Sequence, residues 1–269
     1  MNIMISYLKG RVKAFASKKG YDVCRLPAVL KAHPKEADLS FSVAERLIES
    51  RIQLSQNPVV IQIGAFDGKS NDFLFEYIRD PKVRSVLVEP QPDVFVNLKN
   101  NYKGFSNVTL CNAAIATDDT DIPFYSIKKE YHSSFRLAPQ LASMDRTHLV
   151  RALSIPHLKG LPENREDAIE CVSVKGKRLD TLLSENKIEH VDVLQIDTEG
   201  FDYEIIKMLD FEFVKPEIIN FEIVHLSHAE LDECMWLLYE KGYQMLRYGI
   251  NMVAMRLIET GVDKNFFVQ

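Results

Sequence analysis

The chain has 269 residues, and its 33 basic and 38 acidic side chains give a formal net charge of −5. Hydrophobic residues make up 46% and charged residues 26%, which is typical of globular proteins and excludes a disordered, collagen-like or fibrous chain. This acidic balance offers no broad positive field for a nucleic-acid backbone, so we expect no nucleic-acid partner. The cysteines (Cys24, Cys111, Cys171 and Cys234) lie far apart, which favours reduced thiols in a cytoplasmic protein over a disulfide framework.

The first 20 residues are basic, with Lys9, Arg11, Lys13, Lys18 and Lys19 and no acidic residue. Charges interrupt the apolar residues of this segment too early for a secretory signal, and no later segment supplies about 18 uncharged apolar residues for a membrane span. We therefore expect neither secretion nor a transmembrane segment. The favoured interpretation is a solvated helix, and the alternative is a weak peripheral contact with an anionic membrane or a lipid-linked substrate.

Strands and helices alternate along most of the chain. Apolar runs rich in β-branched residues predict strands at 59–63, 83–88, 107–116, 191–196 and 218–224. Helical periodicity predicts helices at 39–52, 73–78, 92–102, from 179, at 201–209 and at 227–239. Two final runs, 243–248 and 252–257, predict an antiparallel hairpin. This order predicts an α/β fold with a mostly parallel sheet and helices on both faces, and a ligand at the carboxyl ends of the strands.

Residues 126–170 interrupt the alternation. They are rich in Asp, Pro, His and Ser, and short predicted strands at 122–127 and 171–174 flank them. Because the segment is too long for an ordinary connection, we interpret it as an inserted cap. Ser133 and Arg136 are the candidates in this cap for contacts with a substrate, and His132, His148 and His157 are further polar residues there.

Two motifs predict a nucleotide-like ligand. The turn Gly64-Ala65-Phe66-Asp67-Gly68 follows the first strand, where missing side chains let a ligand approach the backbone. Glu89 ends the second strand at the spacing typical of a carboxylate that binds both ribose hydroxyls. The sequence Gly68-Lys69-Ser70 imitates the end of a phosphate-binding loop, but Ile63 occupies the position of its required first glycine, which disfavours an NTPase.

In this order, the motifs resemble the FkbM-type S-adenosylmethionine-dependent methyltransferases. The resemblance extends over most of residues 57–224 and rests on the GAFDG turn, Val88-Glu89-Pro90, Asn112 to Ile115, residues 174–183, the segment 197–204 (DTEGFDYE) and residues 216–222. It implies a Rossmann-like class I methyltransferase fold with a seven-stranded sheet. It also implies S-adenosylmethionine as cofactor and transfer of a methyl group to a hydroxyl of a small-molecule, sugar or glycolipid acceptor. The predicted division is a helical lead at 1–56, the methyltransferase domain at 57–258 and a tail at 259–269.

The resemblance also assigns cofactor contacts. It implies that Gly64, Ala65, Phe66 and Gly68 line the methionine side, that Glu89 holds the ribose, and that Asn112 and Ala113 lie near adenine. Two alternatives stay open: a nicotinamide-dependent oxidoreductase on a Rossmann sheet, for which the third fingerprint glycine is missing, and a non-catalytic cofactor-binding module.

Polar residues at two later strand ends are the candidates for catalysis. Asp197 and Glu199 are two positions apart, so both side chains can point towards one pocket, and Glu222 ends the neighbouring strand. We assign Asp197, Glu199 and His225 as candidate catalytic residues and Glu222 as a candidate substrate contact, since methyl transfer to a hydroxyl needs one proton acceptor. Oxygen ligation of Mg²⁺ by the carboxylates is the less favoured alternative, and no metal ligand is assigned.

Overall fold

The computed structural model describes residues 36–135, 138–155 and 158–256. Its strands in this part of the chain are β1 (Val59–Ile63), β2 (Arg84–Val88), β3 (Val108–Cys111), β4 (Ala114–Ile115), β5 (Asp121–Ile127), β6 (Ala142–Ser143), β7 (Ile169–Lys177), β8 (Val193–Ile196), β9 (Ile218–Glu222), β10 (Tyr243–Tyr248) and β11 (Asn251–Arg256). Its helices there are α1 (Glu36–Leu54), α2 (Phe75–Ile78), α3 (Pro92–Asn101), α4 (Arg146–Leu153), α5 (Leu179–Glu185), α6 (Asp202–Lys207) and α7 (His228–Glu240).

The larger sheet has seven strands in the order β10-β11-β9-β8-β1-β2-β3 within the described residues. Neighbouring strands from β9 to β3 pair in parallel, whereas β11 runs antiparallel to both β9 and β10. The predicted α/β fold, with its mostly parallel sheet and terminal antiparallel hairpin, is therefore confirmed.

Helices cover both faces of this sheet. Side chains alternate along β1, so that Ile61 and Ile63 pack in one core with α5, α6 and α7, while Val60 packs in a second core with α1. Ala44, Ile48 and other apolar side chains of α1 are buried at helical spacing in the second core. Burial on both faces explains why the central strands are continuous apolar runs. A capping box between Ser227 and Glu230 stabilises the start of α7.

The third predicted strand, at 107–116, is wrong as a single element. The chain breaks between β3 and β4, and β4 belongs to a second sheet of order β4-β7-β5-β6. The side-chain amide of Asn112 lies in the break and donates hydrogen bonds to the carbonyl oxygens of Glu89 and Pro90. An apolar run by itself cannot reveal that its two halves pair with different strands.

The region interpreted as an inserted cap contains regular structure. Strand β5 pairs antiparallel with β7 and with the short β6, and α4 follows β6. The basic first 20 residues and the predicted tail lie outside the described residues, so the predicted domain division stays a prediction. None of the helices within 36–256 that the structure describes is long and apolar enough to cross a membrane.

Asp192 joins three elements at the amino-terminal edge of the larger sheet. Its fully buried carboxylate accepts hydrogen bonds from Arg51 Nε at 2.8 Å, from the backbone N–H of Val59 at 2.8 Å and from Ser55 Oγ at 3.3 Å. These partners lie at the end of α1, after it, and at the start of β1. One buried charge therefore fixes α1 against the entry of β1 and β8.

We expect Asp192→Ala to lower the free energy of unfolding by about 3 kcal/mol, because it leaves the Arg51 charge and a strand N–H without their partner. Urea unfolding followed by circular dichroism measures this change. Glu76→Ala is the control, since the exposed Glu76–Arg79 pair contributes about 0.5 kcal/mol or less. Equal losses in the two variants would contradict this role of Asp192.

Candidate active site

The strand register brings the site residues to one edge of the larger sheet. Ile63 pairs with both Val88 and Ile196, and Ile196 pairs with Phe221. The residues that follow these four, Gly64, Glu89, Asp197 and Glu222, therefore lie at the same level at the carboxyl ends of four adjacent strands. This is the edge at which open α/β sheets bind their ligands.

A cavity of about 290 Å³ opens at this edge. The loops after β1, β2 and β8 form its floor, and Phe124, Gln140, Ala142 and Met144 contribute from the second sheet and its connections. Pockets that bind small molecules in proteins typically have volumes of about 300 Å³ or more, so this cavity is close to the size of a small-molecule site. Of the residues predicted to contact the cofactor, those that line it are Gly64, Ala65, Phe66, Glu89 and Ala113.

Gly64 is required by the close approach of two strands. A Cβ atom at this position would lie 1.7 Å from the carbonyl oxygen of Asp197, and the backbone φ of Gly64 is +81°. The sequence alone predicts that the missing side chain makes room for a ligand. The structure gives a different reason: only glycine lets the end of β1 pass the end of β8 at this distance.

Two residues predicted to contact the cofactor, Gly68 and Asn112, instead support the backbone around the cavity. A Cβ at Gly68 would lie 2.5 Å from the side chains of Leu98 and Tyr102, and the Tyr102 hydroxyl donates to the Gly68 carbonyl. Asn112 holds the backbone after β2 through its amide hydrogen bonds. Neither Gly68 nor Asn112 is among the residues that line the cavity.

Glu89 is a buried carboxylate in the cavity wall, with only 3% of its surface exposed. It accepts hydrogen bonds from the backbone N–H groups of Phe66 at 2.9 Å and Gln91 at 2.8 Å. Burial raises the pKa of Glu89 to about 7, and these hydrogen bonds offset part of that effect. The charge of this carboxylate therefore changes near neutral pH.

Gln62 also lines the cavity, although it is not among the site residues predicted from the sequence. Its side-chain nitrogen donates to Asp72 at 3.0 Å, while its buried Oε1 has no hydrogen-bond partner. A buried acceptor without a donor is costly, and a ligand that carries an N–H group would satisfy it. The available signal was a glutamine in the otherwise apolar run of β1.

Two carboxylates and two histidines converge beside the cavity, and we call this group the His–Glu cluster. Oε2 of Glu199 lies 3.3 Å from Nε2 of His148 and 3.2 Å from Nε2 of His225. Oε2 of Glu222 lies 3.0 Å from Nε2 of His225. The two imidazole rings meet edge to face with 3.9 Å between their centroids. Glu199 lines the cavity, as does Asp197, whereas the other three members of the cluster lie behind the wall.

Charges within this group shift the ionisation of its members. Burial opposes ionisation of Glu199, yet hydrogen bonds from His148 and His225 lower its pKa to about 2. Burial likewise opposes the charge on His225, but Glu199 and Glu222 raise its pKa to about 9. At neutral pH Glu199 is therefore ionised and His225 is protonated, which makes His225 a hydrogen-bond donor in this arrangement.

Asp197 differs from Glu199 although the two are near neighbours in sequence. Burial, followed by the charges of Asp202, Glu222 and Glu199, raises the pKa of Asp197 well above its usual range. Asp202 is itself buried, and its pKa is raised to about 6 while it accepts hydrogen bonds from Thr198 and from the Glu222 N–H. The two candidate carboxylates thus favour opposite protonation states.

Helix α4 and strand β6 bring the distant part of the His–Glu cluster into place. Asp145 caps α4 by accepting a hydrogen bond from the N–H of Thr147, and His148 in the first turn is buried. Ser143 Oγ donates to the carbonyl of Glu199 at 2.9 Å, and Glu199 has a left-handed φ of 52°. The cap therefore contacts the turn after β8 directly.

Of the other residues predicted to contact the acceptor, some lie away from the cavity and the rest lie outside the described residues. Ser133 is exposed and does not line the cavity, while Arg136 and His157 lie outside the described residues. His132 contacts the carbonyl of Ile127 within the cap. Among the cap histidines that the structure describes, His148 is the one that contacts a residue of the site. Because His148 and Glu199 are 51 positions apart, no local pattern in the sequence indicates their contact.

The strand order and the site together define the class of protein. A protein-family model described as the methyltransferase FkbM domain matches residues 62–245, so the chain belongs to the FkbM methyltransferase family. The order of the larger sheet and its antiparallel last strand are those of a Rossmann-like class I methyltransferase. No curated protein matches the sequence.

Solved structures similar to this chain include the following three. The methyltransferase FkbM from Methylobacillus flagellatus is 15% identical, with 75% of this chain and 44% of that chain covered and a TM-score of 0.44. Precorrin-6y C5,15-methyltransferase from Geobacter metallireducens is 16% identical, with 79% and 87% covered and a TM-score of 0.38. An O-methyltransferase from Bacillus cereus in complex with SAH is 10% identical, with 91% and 97% covered and a TM-score of 0.38.

We expect Gly64→Ala to lower the free energy of unfolding by about 3 kcal/mol or more, because the new methyl group overlaps the Asp197 carbonyl and the backbone is strained. Gly104→Ala is the matched control. Gly104 also has a positive φ, but a Cβ there meets no atom within 4 Å, so only the backbone strain of about 1 kcal/mol applies. Urea unfolding compares the two variants, and equal losses would show that the strand contact does not constrain this position.

Proposed function

We propose that this protein is an S-adenosylmethionine-dependent O-methyltransferase acting on a hydroxyl of a small-molecule, sugar or glycolipid acceptor. Membership of the FkbM methyltransferase family supports methyl transfer. The observation that carries the choice of oxygen is the cavity that Asp197 and Glu199 line together, since carboxylates there can bind a hydroxyl and take up its proton. We further propose residues 57–258 as the catalytic domain, with 126–170 as its acceptor-binding cap, in a cytoplasmic protein.

The cavity has features that fit the cofactor. Glu89 presents both carboxylate oxygens at its wall, where each can accept a hydrogen bond from one ribose hydroxyl in addition to its backbone partner. Gln62 Oε1 is an unpaired acceptor for the ammonium group of the methionine part. Ala113 and Ala114 leave room for a flat ring between β3 and β4. We assign Gly68 and Asn112 to holding these walls in place.

Bound S-adenosylmethionine supplies a methyl group that is already activated as a sulfonium, so the protein must orient the acceptor and remove one proton. We propose Asp197 as the proton acceptor because it borders the cavity next to the glycine turn, and because its raised pKa makes its ionised form a stronger base than Glu199. The reaction uses the fraction of chains in which Asp197 is ionised. As the new oxygen–carbon bond forms, the hydroxyl O–H bond breaks and its proton passes to a carboxylate oxygen of Asp197. Glu199, which lines the cavity, holds the acceptor hydroxyl in line, and His225, paired with Glu222, fixes the Glu199 carboxylate from behind.

We expect the full-length protein to bind S-adenosylhomocysteine in calorimetry, and Glu89→Gln to weaken that binding at least about tenfold, because the ribose loses a charged acceptor. Since ribose binding uses the carboxylate and the pKa of Glu89 is about 7, the wild-type affinity should fall about tenfold between about pH 8 and about pH 6. Glu89→Gln should show no such pH dependence.

Glu76→Gln, an exposed glutamate in α2, is the control for this experiment and should bind as the wild type does. Absence of S-adenosylhomocysteine binding by folded wild-type protein would refute the proposed cofactor. Preferential binding of NAD would support the oxidoreductase alternative instead. A pH dependence that persists in Glu89→Gln would remove Glu89 from the ribose site.

We expect Asp197→Asn to lower turnover by about 10²–10⁴-fold while changing S-adenosylhomocysteine affinity by less than about threefold, because the amide cannot accept the hydroxyl proton. The acceptor for this assay is found by incubating the protein with a cell extract and methyl-labelled S-adenosylmethionine and by searching for products that carry the label. Asp232→Asn, on the exposed face of α7, is the control. Equal losses of turnover and affinity would mark Asp197 as structural.

A further inference from the structure

We propose that His148, Glu199, Glu222 and His225, the His–Glu cluster, form a binding site for one divalent transition-metal ion beside the cavity. The four side chains come from α4, the turn after β8, the end of β9 and the loop that follows it. Their convergence is a product of the tertiary fold, and the sequence analysis assigned no metal ligand to any of them.

The distances between ligand atoms fit a metal. The imidazole and carboxylate ligand atoms of His148, Glu199 and His225 all lie within 4.8 Å of one another. In a tetrahedral zinc site with bonds of about 2.1 Å, neighbouring ligand atoms are about 3.4 Å apart. Oε2 of Glu199 lies 3.3 and 3.2 Å from the two Nε2 atoms, and Glu222 Oε2 lies 3.0 Å from His225 Nε2. The ligand atoms of His148, Glu199 and His225 are thus spaced to enclose one ion, and Glu222, which adjoins His225, can complete the set after its side chain moves.

The charge of the surroundings also fits a cation. Asp197, Glu199, Asp202 and Glu222 place four carboxyl groups around two imidazoles, and Asp202 and Glu222 are buried. Buried carboxylates are stable only when a counter-charge or hydrogen bonds compensate them. A divalent ion held by Glu199 and Glu222 would supply that compensation at the centre of the group.

The backbone of each carboxylate ligand is held by a neighbouring side chain. Ser143 Oγ donates to the carbonyl of Glu199, and the N–H of Glu222 donates to Asp202 at 3.1 Å. Such contacts orient ligands in protein metal sites. They also make the arrangement available before an ion binds, which lowers the ordering cost of binding.

The donor set selects the class of metal. Imidazole nitrogens suit zinc, copper, iron and nickel, and carboxylates also suit manganese, whereas magnesium prefers oxygen ligands alone and retains water. We therefore expect Zn²⁺, Mn²⁺ or Co²⁺ to bind and Mg²⁺ to bind far more weakly. Because Glu199 lines the cavity, the ion would border the acceptor space and could lower the pKa of a bound hydroxyl. This consequence rests on the proposed methyl transfer, but metal binding does not.

The test uses full-length protein that has been treated with a chelator and then dialysed. Addition of Co²⁺ should produce visible absorption bands that saturate at about one ion per chain and disappear when Zn²⁺ is added, while Mg²⁺ in large excess should leave them unchanged. No S-adenosylmethionine or acceptor is present, so the result is independent of the proposed function. Absence of the bands with folded protein would overturn the proposal.

Variants assign the ligands. We expect His148→Gln and His225→Gln each to weaken Zn²⁺ binding at least about 100-fold in calorimetry. His190→Gln is the matched control. His190 Nε2 also lies 3.2 Å from a buried carboxylate oxygen, Oδ2 of Asp192, but His190 is not part of the His–Glu cluster. It should bind Zn²⁺ as the wild type does. Equal Zn²⁺ affinity in His148→Gln and the wild type would contradict the assignment.

A measurement on the unaltered protein covers the case in which a ligand variant does not fold. X-ray absorption at the zinc edge of the wild-type complex should show nitrogen and oxygen ligands with back-scattering from two imidazoles. One imidazole or none would overturn the proposed ligand set. Circular dichroism shows whether each variant folds, and only the calorimetry of folded variants is interpreted. If a variant does not fold, the X-ray absorption spectrum of the wild-type complex decides the proposal.

Discussion

The parallel register of the four central strands is the constraint on which the site depends. Pairing of Ile63 with both Val88 and Ile196, and of Ile196 with Phe221, puts Gly64, Glu89, Asp197 and Glu222 at one level of the sheet. A slip of one residue in any pair would move its polar residue away from the edge and turn its apolar side chains to the opposite face. The buried core therefore fixes the register, and the register in turn positions the polar residues at this edge of the cavity.

Close packing at this edge limits which residues the site can use. The end of β1 passes so near the Asp197 carbonyl that only Gly64 fits, and Gly68 is similarly confined by α3. Phe66 and Glu199, which are not glycines, both adopt left-handed backbone conformations beside the cavity. Such strain persists only where surrounding contacts hold it, and here the hydrogen bonds to Glu89 and from Ser143 do so. Stability and site geometry thus rest on the same contacts.

Charge is distributed unevenly across the cavity. Glu89 lies on one wall, where burial sets its ionisation, whereas Asp197 and Glu199 line another part of the cavity, with Glu222 and two histidines behind them. Environments that separate the protonation states of similar groups are typical of sites where a proton moves. The His–Glu cluster adds a second element to this wall, because the cap supplies His148 to a turn of the larger sheet. Residues 126–170 thus supply a partner for Glu199 as well as residues that line the cavity.

The sequence by itself determined the α/β class, the position of most strands and the residues at their ends, because burial leaves continuous apolar runs and strand ends carry polar residues in recognisable motifs. Five residues that the family resemblance implied as cofactor contacts, namely Gly64, Ala65, Phe66, Glu89 and Ala113, line the cavity. Tertiary structure alone decided that 107–116 divides between two sheets, that Gly64 is needed for a strand contact, and that Gln62 faces the cavity. It also decided that His148 joins Glu199 and His225. Contacts across 51 positions depend on how separate elements pack, and local spacing carries no record of that packing.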